Sequence, residues 1–270
     1  NPVADVQRIL ASPSFKAAVA TIDKEHSRIV DEGIMLTEIP APPFKEEARA
    51  REYEKMFKAV GLSEVRIDEE GNVLGIRKGS RSDGKFVVVS AHLDTVFPAG
   101  TDVKVKRQGT KLYAPGIGDD TMSLSVLLGF VRAMDAGGIK TRDDILFVGT
   151  VGEEGLGDLR GVRYLFNKGQ YKDKIKTFFS VESGSVDLIT NGGVGSRRDV
   201  GAPIHLACGL PSCADGVFAG HDGRPVTHIG VGAYDPIDQL RGIQKGRSRA
   251  VHKLFDVRPV GLRSLGLGKA

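Results

Sequence analysis

Four short stretches of this 270-residue chain set an imidazole or carboxylates against apolar runs. In Ser90-Ala91-His92-Leu93-Asp94-Thr95, which closes the run from Phe86 to Ala91, His92 and Asp94 stand two positions apart. Alternate residues of an extended segment face the same way, so Asp94 reaches the imidazole of His92. A carboxylate on one ring nitrogen fixes the tautomer and leaves the other nitrogen for a metal. In Gly116-Ile117-Gly118-Asp119-Asp120-Thr121 one aspartate suffices to cap the helix that follows, and the other side chain projects elsewhere. Gly152-Glu153-Glu154-Gly155 puts two carboxylates directly after the apolar run Ile145–Val151, where they repel unless they share a cation or a proton. Val181-Glu182-Ser183-Gly184 ends a fourth run with another carboxylate. Taken singly, each has a plainer reading: a surface histidine, a helix cap, a charged loop. Together they give one imidazole and several oxygen ligands, which suits zinc or a similar divalent ion.

The elements that must carry these groups alternate in period. Phe15, Val19, Ile22, Ile29, Val30 and Ile34 form a helical stripe from Phe15 to Leu36, ended by Pro40-Ala41-Pro42-Pro43. His26 lies among charges within it and reads as solvated. A second helix is expected at 45–60, stopped by Gly61, and further ones at 121–135 and 158–168. Strands are expected at Val65–Ile67, Val73–Ile76, Phe86–Ala91, Ile145–Val151 and Thr177–Val181, with a hairpin of Val103–Lys106 and Lys111–Tyr113 across Gln108-Gly109. Strands alternating with helices indicate an α/β fold, a mixed and mostly parallel sheet flanked by helices. Ligands bind at the carboxyl ends of the strands in such sheets, where all four stretches fall.

Composition narrows the field. Hydrophobic residues make up 40% and charged residues 27%, enough for a sizeable core. No apolar run is long enough to span a membrane, and two cysteines support neither a disulfide framework nor a four-thiolate zinc site. The net charge of +4 is uneven: residues 199–270 hold 9 Lys and Arg against 6 Asp and no Glu. The surplus is a poor argument for nucleic acid, and neither nucleic acid nor membrane is expected as a partner. Residues 1–198 are expected to form one α/β domain that carries all four stretches. Residues 199–270 read as an irregular tail: a loop-rich subdomain, a degenerate C-terminus, or a stretch translated out of frame. The chain opens on Asn1-Pro2, which fits a removed leader or a fragment, with a lean to a periplasmic or secreted location over a cytoplasmic one. A competing reading takes Gly155-Leu156-Gly157 through Gly161 as a dinucleotide fingerprint. It would set Glu153 and Glu154 beside a pyrophosphate and leave His92 and Asp119 unexplained.

In this order and spacing, the four stretches resemble the co-catalytic zinc metallopeptidases that include peptidase T, carboxypeptidase G-type enzymes, acetylornithine deacetylase and aminoacylase. The resemblance covers about residues 15–198 and implies that residues 1–198 are a catalytic domain of this kind, though an incomplete one. It implies that His92 binds one metal and Asp94 orients it, that Asp119 bridges two metals, and that Glu153 is the general base. Glu154 would bind the second metal and Glu182 complete the first. A carboxylate held by a cation is a poor base, whereas its neighbour is left to take a proton. Ser123 stands where the family usually has glycine, and Thr121 or Met122 where it often has a basic residue. Such enzymes also insert a lid and dimerisation domain after the segment matching Ile189–Arg198, and no recognisable lid follows here, so a monomer is expected.

The resemblance implies two zinc ions, with cobalt or manganese as substitutes, and hydrolysis of an amide bond in small peptides by aminopeptidase or di- and tripeptidase action. Deacylation of N-acyl amino acids is the enzymatic alternative. A third reading is a weakly active or inactive metal-binding remnant, because the second site has only Asp119 and Glu154 in the matched region. Its missing histidine would have to come from His205, His221, His228 or His252.

Overall fold

The structure, a computed structural model, describes residues 1–81 and 83–182, with the backbone of further strands at 189–190, 226–230 and 253–256. The chain opens with α1 (Pro2–Ala11) and α2 (Pro13–Thr37), each with proline in its first turn. The Asn1 side chain caps α1 through the amide of Val3, and Ser12 caps α2 through that of Phe15. Helix α1 escapes the reading from periodicity because it buries nothing: Val3, Val6 and Ile9 are all more than half exposed. Then come α3 (Glu47–Ala59), β1 (Ser63–Ile67), β2 (Val73–Arg77), β3 (Phe86–His92), β4 (Lys106–Gln108) and β5 (Lys111–Ala114). An irregular turn at Ile117–Thr121 leads into α4 (Met122–Ala136). Beyond it lie β6 (Asp144–Thr150), α5 (Arg160–Asn167), β7 (Ile175–Glu182), β8 (Ile189–Thr190), β9 (Val226–Gly230) and β10 (Lys253–Asp256).

One part of the sequence reading is corrected. The hairpin's first strand is Lys106–Gln108, not Val103–Lys106. The Val105 amide donates to the Glu38 carboxylate at 3.1 Å and Lys104 reaches the same group at 2.7 Å, so this segment is drawn to the end of α2 instead of pairing with β5.

The main sheet runs β1-β2-β6-β3-β7-β9-β8, and β10-β5-β4 form a smaller one. Strands β6, β3, β7 and β9 are mutually parallel, with antiparallel pairs at both margins. This is the mixed α/β architecture expected from the alternation of elements. Both faces of the centre are covered, as a parallel sheet requires. Ile145 and Phe147 of β6 pack with Tyr53 and Phe57 of α3 and with Leu124, Leu127 and Leu128 of α4. The intervening Leu146 and Val148 pack on the other face with Val88, Phe178 and Leu165 of α5. Helix α2 lies against α4 so closely that a Cβ on Gly129 would stand 2.7 Å from Ile29.

Strand β9 continues the sheet beyond Arg198, with His228 in register with Ser180 of β7. His205, His221 and His252 lie outside the described residues. No helix among the described residues is long and apolar enough to cross a membrane.

Burial predicts a sharp contrast in denaturant unfolding. Leu127→Ala, in the fully buried face of α4, should cost about 2–5 kcal/mol. Val6→Ala, on exposed α1, should change stability by less than about 0.5 kcal/mol.

Candidate metal centre

Because β3, β6 and β7 run parallel, His92, the Gly152–Glu154 turn and Glu182 emerge at one edge of the sheet. The turn before α4 brings Asp119 and Asp120 to the same place; the peptide bond between them is cis.

His92 is buried, at 2% exposure. Its Nδ1 lies 3.0 Å from the Asp94 carbonyl oxygen, which only accepts, so Nδ1 carries the proton. The Nε2 atom faces Asp119 Oδ1 at 2.9 Å and Glu182 Oε2 at 3.4 Å. The Asp94 carboxylate stands 3.5 Å from Nδ1, farther than its own carbonyl. Its oxygens instead accept the backbone N–H groups of Glu153 and Glu154, each at 2.9 Å. Reading His92-Leu93-Asp94 as a strand end finds the proximity but not this second task, since its partners lie some sixty positions away.

Asp120 is the residue that sequence reasoning left without an assignment. Fully buried, it accepts the His92 backbone N–H at Oδ2, 2.9 Å away. Its Oδ1 has no well-aligned hydrogen-bond partner among the described residues, although the buried Ser123 hydroxyl is close enough to ease its charge. The paired aspartates were the available signal; which one would be buried depended on the turn.

Charge dominates this edge. Burial works against ionised His92, but Glu182, Asp119 and Asp94 outweigh it and hold the imidazole well above its ordinary range. Burial would raise Asp94, yet the His92 ring and the two amides hold it below its usual value. Asp120 is pushed well up by burial and then by Glu182. Burial raises Glu153 to about 7. Glu154 rises to about 8, through burial and then the nearby Asp119.

The atoms fit a divalent cation. Ligand atoms of His92, Asp120 and Glu182 lie within 4.8 Å of one another, as do those of His92, Glu153 and Glu154. Carboxylates outnumber the single imidazole, and one buried oxygen lacks a good donor. A set of carboxylate oxygens with one imidazole nitrogen suits zinc, cobalt or manganese.

The raised glutamates make the metal-free protein less stable as the pH rises towards neutrality. A carboxyl at 4.5 when unfolded and about 7 or 8 when folded favours folding below about pH 4.5, and that contribution is lost as the pH rises towards neutrality. Chelator-treated protein should therefore lose up to about 1.4 kcal/mol of unfolding free energy per pH unit for each glutamate between pH 5 and 7. Glu154→Gln should flatten the slope. Added zinc should stabilise more strongly at pH 7 than at pH 5, because its ligands bind deprotonated.

Among solved structures, the dipeptidase Dug1p of Saccharomyces cerevisiae is similar at 17% identity and a TM-score of 0.53, over 66% of this chain and 43% of that one. Human carnosine dipeptidase 1 is similar at 13% identity and a TM-score of 0.55, again over 66% and 43%. The aminopeptidase PepT of Bacillus cereus gives 22% identity and a TM-score of 0.49, over 59% and 44%. The chain thus spans less than half the length of these proteins. No curated protein matches it in sequence. The model of the peptidase family M20/M25/M40 matches residues 88–252, which begin within β3 and take in every acidic group gathered around His92. With more than half of its length in that match, the chain belongs to the peptidase family M20/M25/M40.

Proposed function

We propose that this chain hydrolyses the amide bond of short peptides with the help of divalent metal, two zinc ions in the fullest form of the reading. The observation that carries it is the convergence of His92, Asp119, Asp120, Glu153, Glu154 and Glu182 on one sheet edge, in a member of a peptidase family. His92, Asp119 and Glu182 would hold one ion, with Asp120 offering a further buried oxygen. Asp119 and Glu154 would serve the second. A divalent ion there polarises a carbonyl and makes water more acidic.

The protein's own groups supply the rest. The Asp94 carbonyl holds the Nδ1 proton, so that it is the Nε2 lone pair that would face the acidic cluster when a cation takes the place of the Nε2 proton. The Asp94 carboxylate fixes the backbone of both glutamates. Glu154, once its charge is matched by a cation, is a weak base. Glu153 takes the proton from the attacking water and returns it to the leaving amine. Short peptides are favoured as substrates because Dug1p and carnosine dipeptidase 1, both with TM-scores above 0.5, are dipeptidases by name. Acetylated amino acids are the enzymatic alternative.

A second reading, a metal-binding remnant with little activity, draws on the ligand count. Among the described side chains, His92 is the one imidazole in the cluster, and a zinc site ordinarily takes three protein ligands.

A panel of dipeptides, tripeptides and acetylated amino acids, assayed with added zinc or cobalt, tests the hydrolytic reading. Glu153→Ala should lower kcat about 100- to 10,000-fold with metal content unchanged, and His92→Ala should lower metal content itself. Protein that retains no stoichiometric zinc, cobalt or manganese after reconstitution would overturn the metal reading. Zinc calorimetry separates enzyme from remnant: two tight equivalents with turnover support the first, and one without turnover supports the second.

A further inference from the structure

The turn that carries Glu153 and Glu154 is held from two sides. Asp94 grips it from the site. From the opposite side it rests on Arg160, whose backbone N–H donates to the Gly152 carbonyl at 3.1 Å. Gly152 has φ +59°, and a Cβ there would meet the Nε, Cγ and Cδ atoms of Arg160 at 2.7–3.1 Å. The side chain of Arg160 is thus laid flat against the backbone of the turn, and only glycine permits that approach.

The guanidinium is fixed in turn. Its Nη2 lies 2.8 Å from both carboxylate oxygens of Glu46, whose side chain is 4% exposed. Its Nη1 donates to the carbonyl and a carboxylate oxygen of Glu70, each at 3.0 Å. The ring of Phe44 stands 5.3 Å away. Glu46 closes the segment whose Ala41 carbonyl accepts the Thr95 amide beside Asp94. Glu46 and Arg160 therefore connect the support of Asp94 to the support of the turn. A cavity of about 390 Å³ opens beside them, lined by Phe44, Ala50, Ile67 and Val151. This space borders the arginine side of the turn.

Resting on the metal reading above, we infer that Arg160, clamped by Glu46 and Glu70, is a positioning residue: it fixes the Gly152–Glu154 turn and thereby sets where the Glu153 and Glu154 carboxylates stand relative to His92. It touches none of the acidic groups around His92 and acts through the backbone alone. Lysine is no substitute, since a single ammonium cannot span Glu46 and Glu70 while lying along Gly152.

The test compares wild type with Arg160→Met, Arg160→Lys and the double variant Glu46→Gln/Arg160→Met, which leaves no buried charge unpaired and so preserves the fold. Arg132→Met is the control, because Arg132 pairs with Glu25 and Glu32 between α2 and α4, away from the site. In zinc calorimetry the Arg160 variants, the double included, should raise Kd about 10- to 100-fold, with a similar loss in kcat and an almost unchanged KM. Arg132→Met should lower the melting temperature and leave Kd and kcat alone. Wild-type zinc affinity in Arg160→Met, or equal weakening in Arg132→Met, overturns the inference alone. A wild type that binds zinc without turning over any substrate, while Arg160→Met binds it more weakly, overturns hydrolysis and supports the positioning role. A wild type that takes up no metal overturns both.

Discussion

The two ends of Asp94 hold different strands. Its carbonyl takes the Nδ1 proton of His92, at the end of β3, while its carboxylate takes two amides from the turn that follows β6. A fully buried carboxylate is costly unless donors surround it. Here the donors are the site's own backbone, so satisfying the charge and assembling the edge are one event. Arg49, fully buried and held near 10 by that burial, adds a second charge close by. It donates to the carbonyls of Leu93 and Ile39, which ties α3 to the residue beside Asp94.

Around this junction the protein sets electrostatics against stability. Sheet pairing forces His92, Glu182 and the Gly152–Glu154 turn to one edge, and the buried turn before α4 adds two more carboxylates. Burial first, and the crowding of like charges behind it, raises Glu153 to about 7 and Glu154 to about 8. Such an arrangement is unfavourable as a purely structural device. It becomes reasonable once a cation balances it, and groups with displaced proton affinities often mark functional sites for this reason.

Much of this was legible in the chain because strand ends are local features. His92, Asp94, Glu153, Glu154 and Glu182 each follow an apolar run, and parallel pairing then brings them together. What stayed hidden depended on distant partners. Glu46 looks like an ordinary residue at a helix start and Arg160 like part of a glycine-rich stretch; their pairing appears only when residues over a hundred positions apart meet. The choice between Asp119 and Asp120 rested on the backbone of one turn. The first strand of the hairpin was misplaced because Glu38, far upstream, captures Val105 and Lys104. Helix α1 went unread because its apolar residues face solvent and give periodicity no core to report.

Strand order carries a further consequence for how the molecule comes into being. β3 is hydrogen-bonded between β6 and β7, both formed from chain that comes much later. Neither of its ladders can close before β6 has arrived, the one to β7 waits longer still, and contacts of such long range are slow to form. The groups around His92 are contributed by all three strands and the turn before α4, so the centre is complete only once β7 has joined and brought Glu182. Completing the site and closing the middle of the sheet therefore depend on the same strand pairings. Occupancy of the site by a ligand would accordingly report on global folding, and a ligand could stabilise the finished molecule without guiding the nascent one.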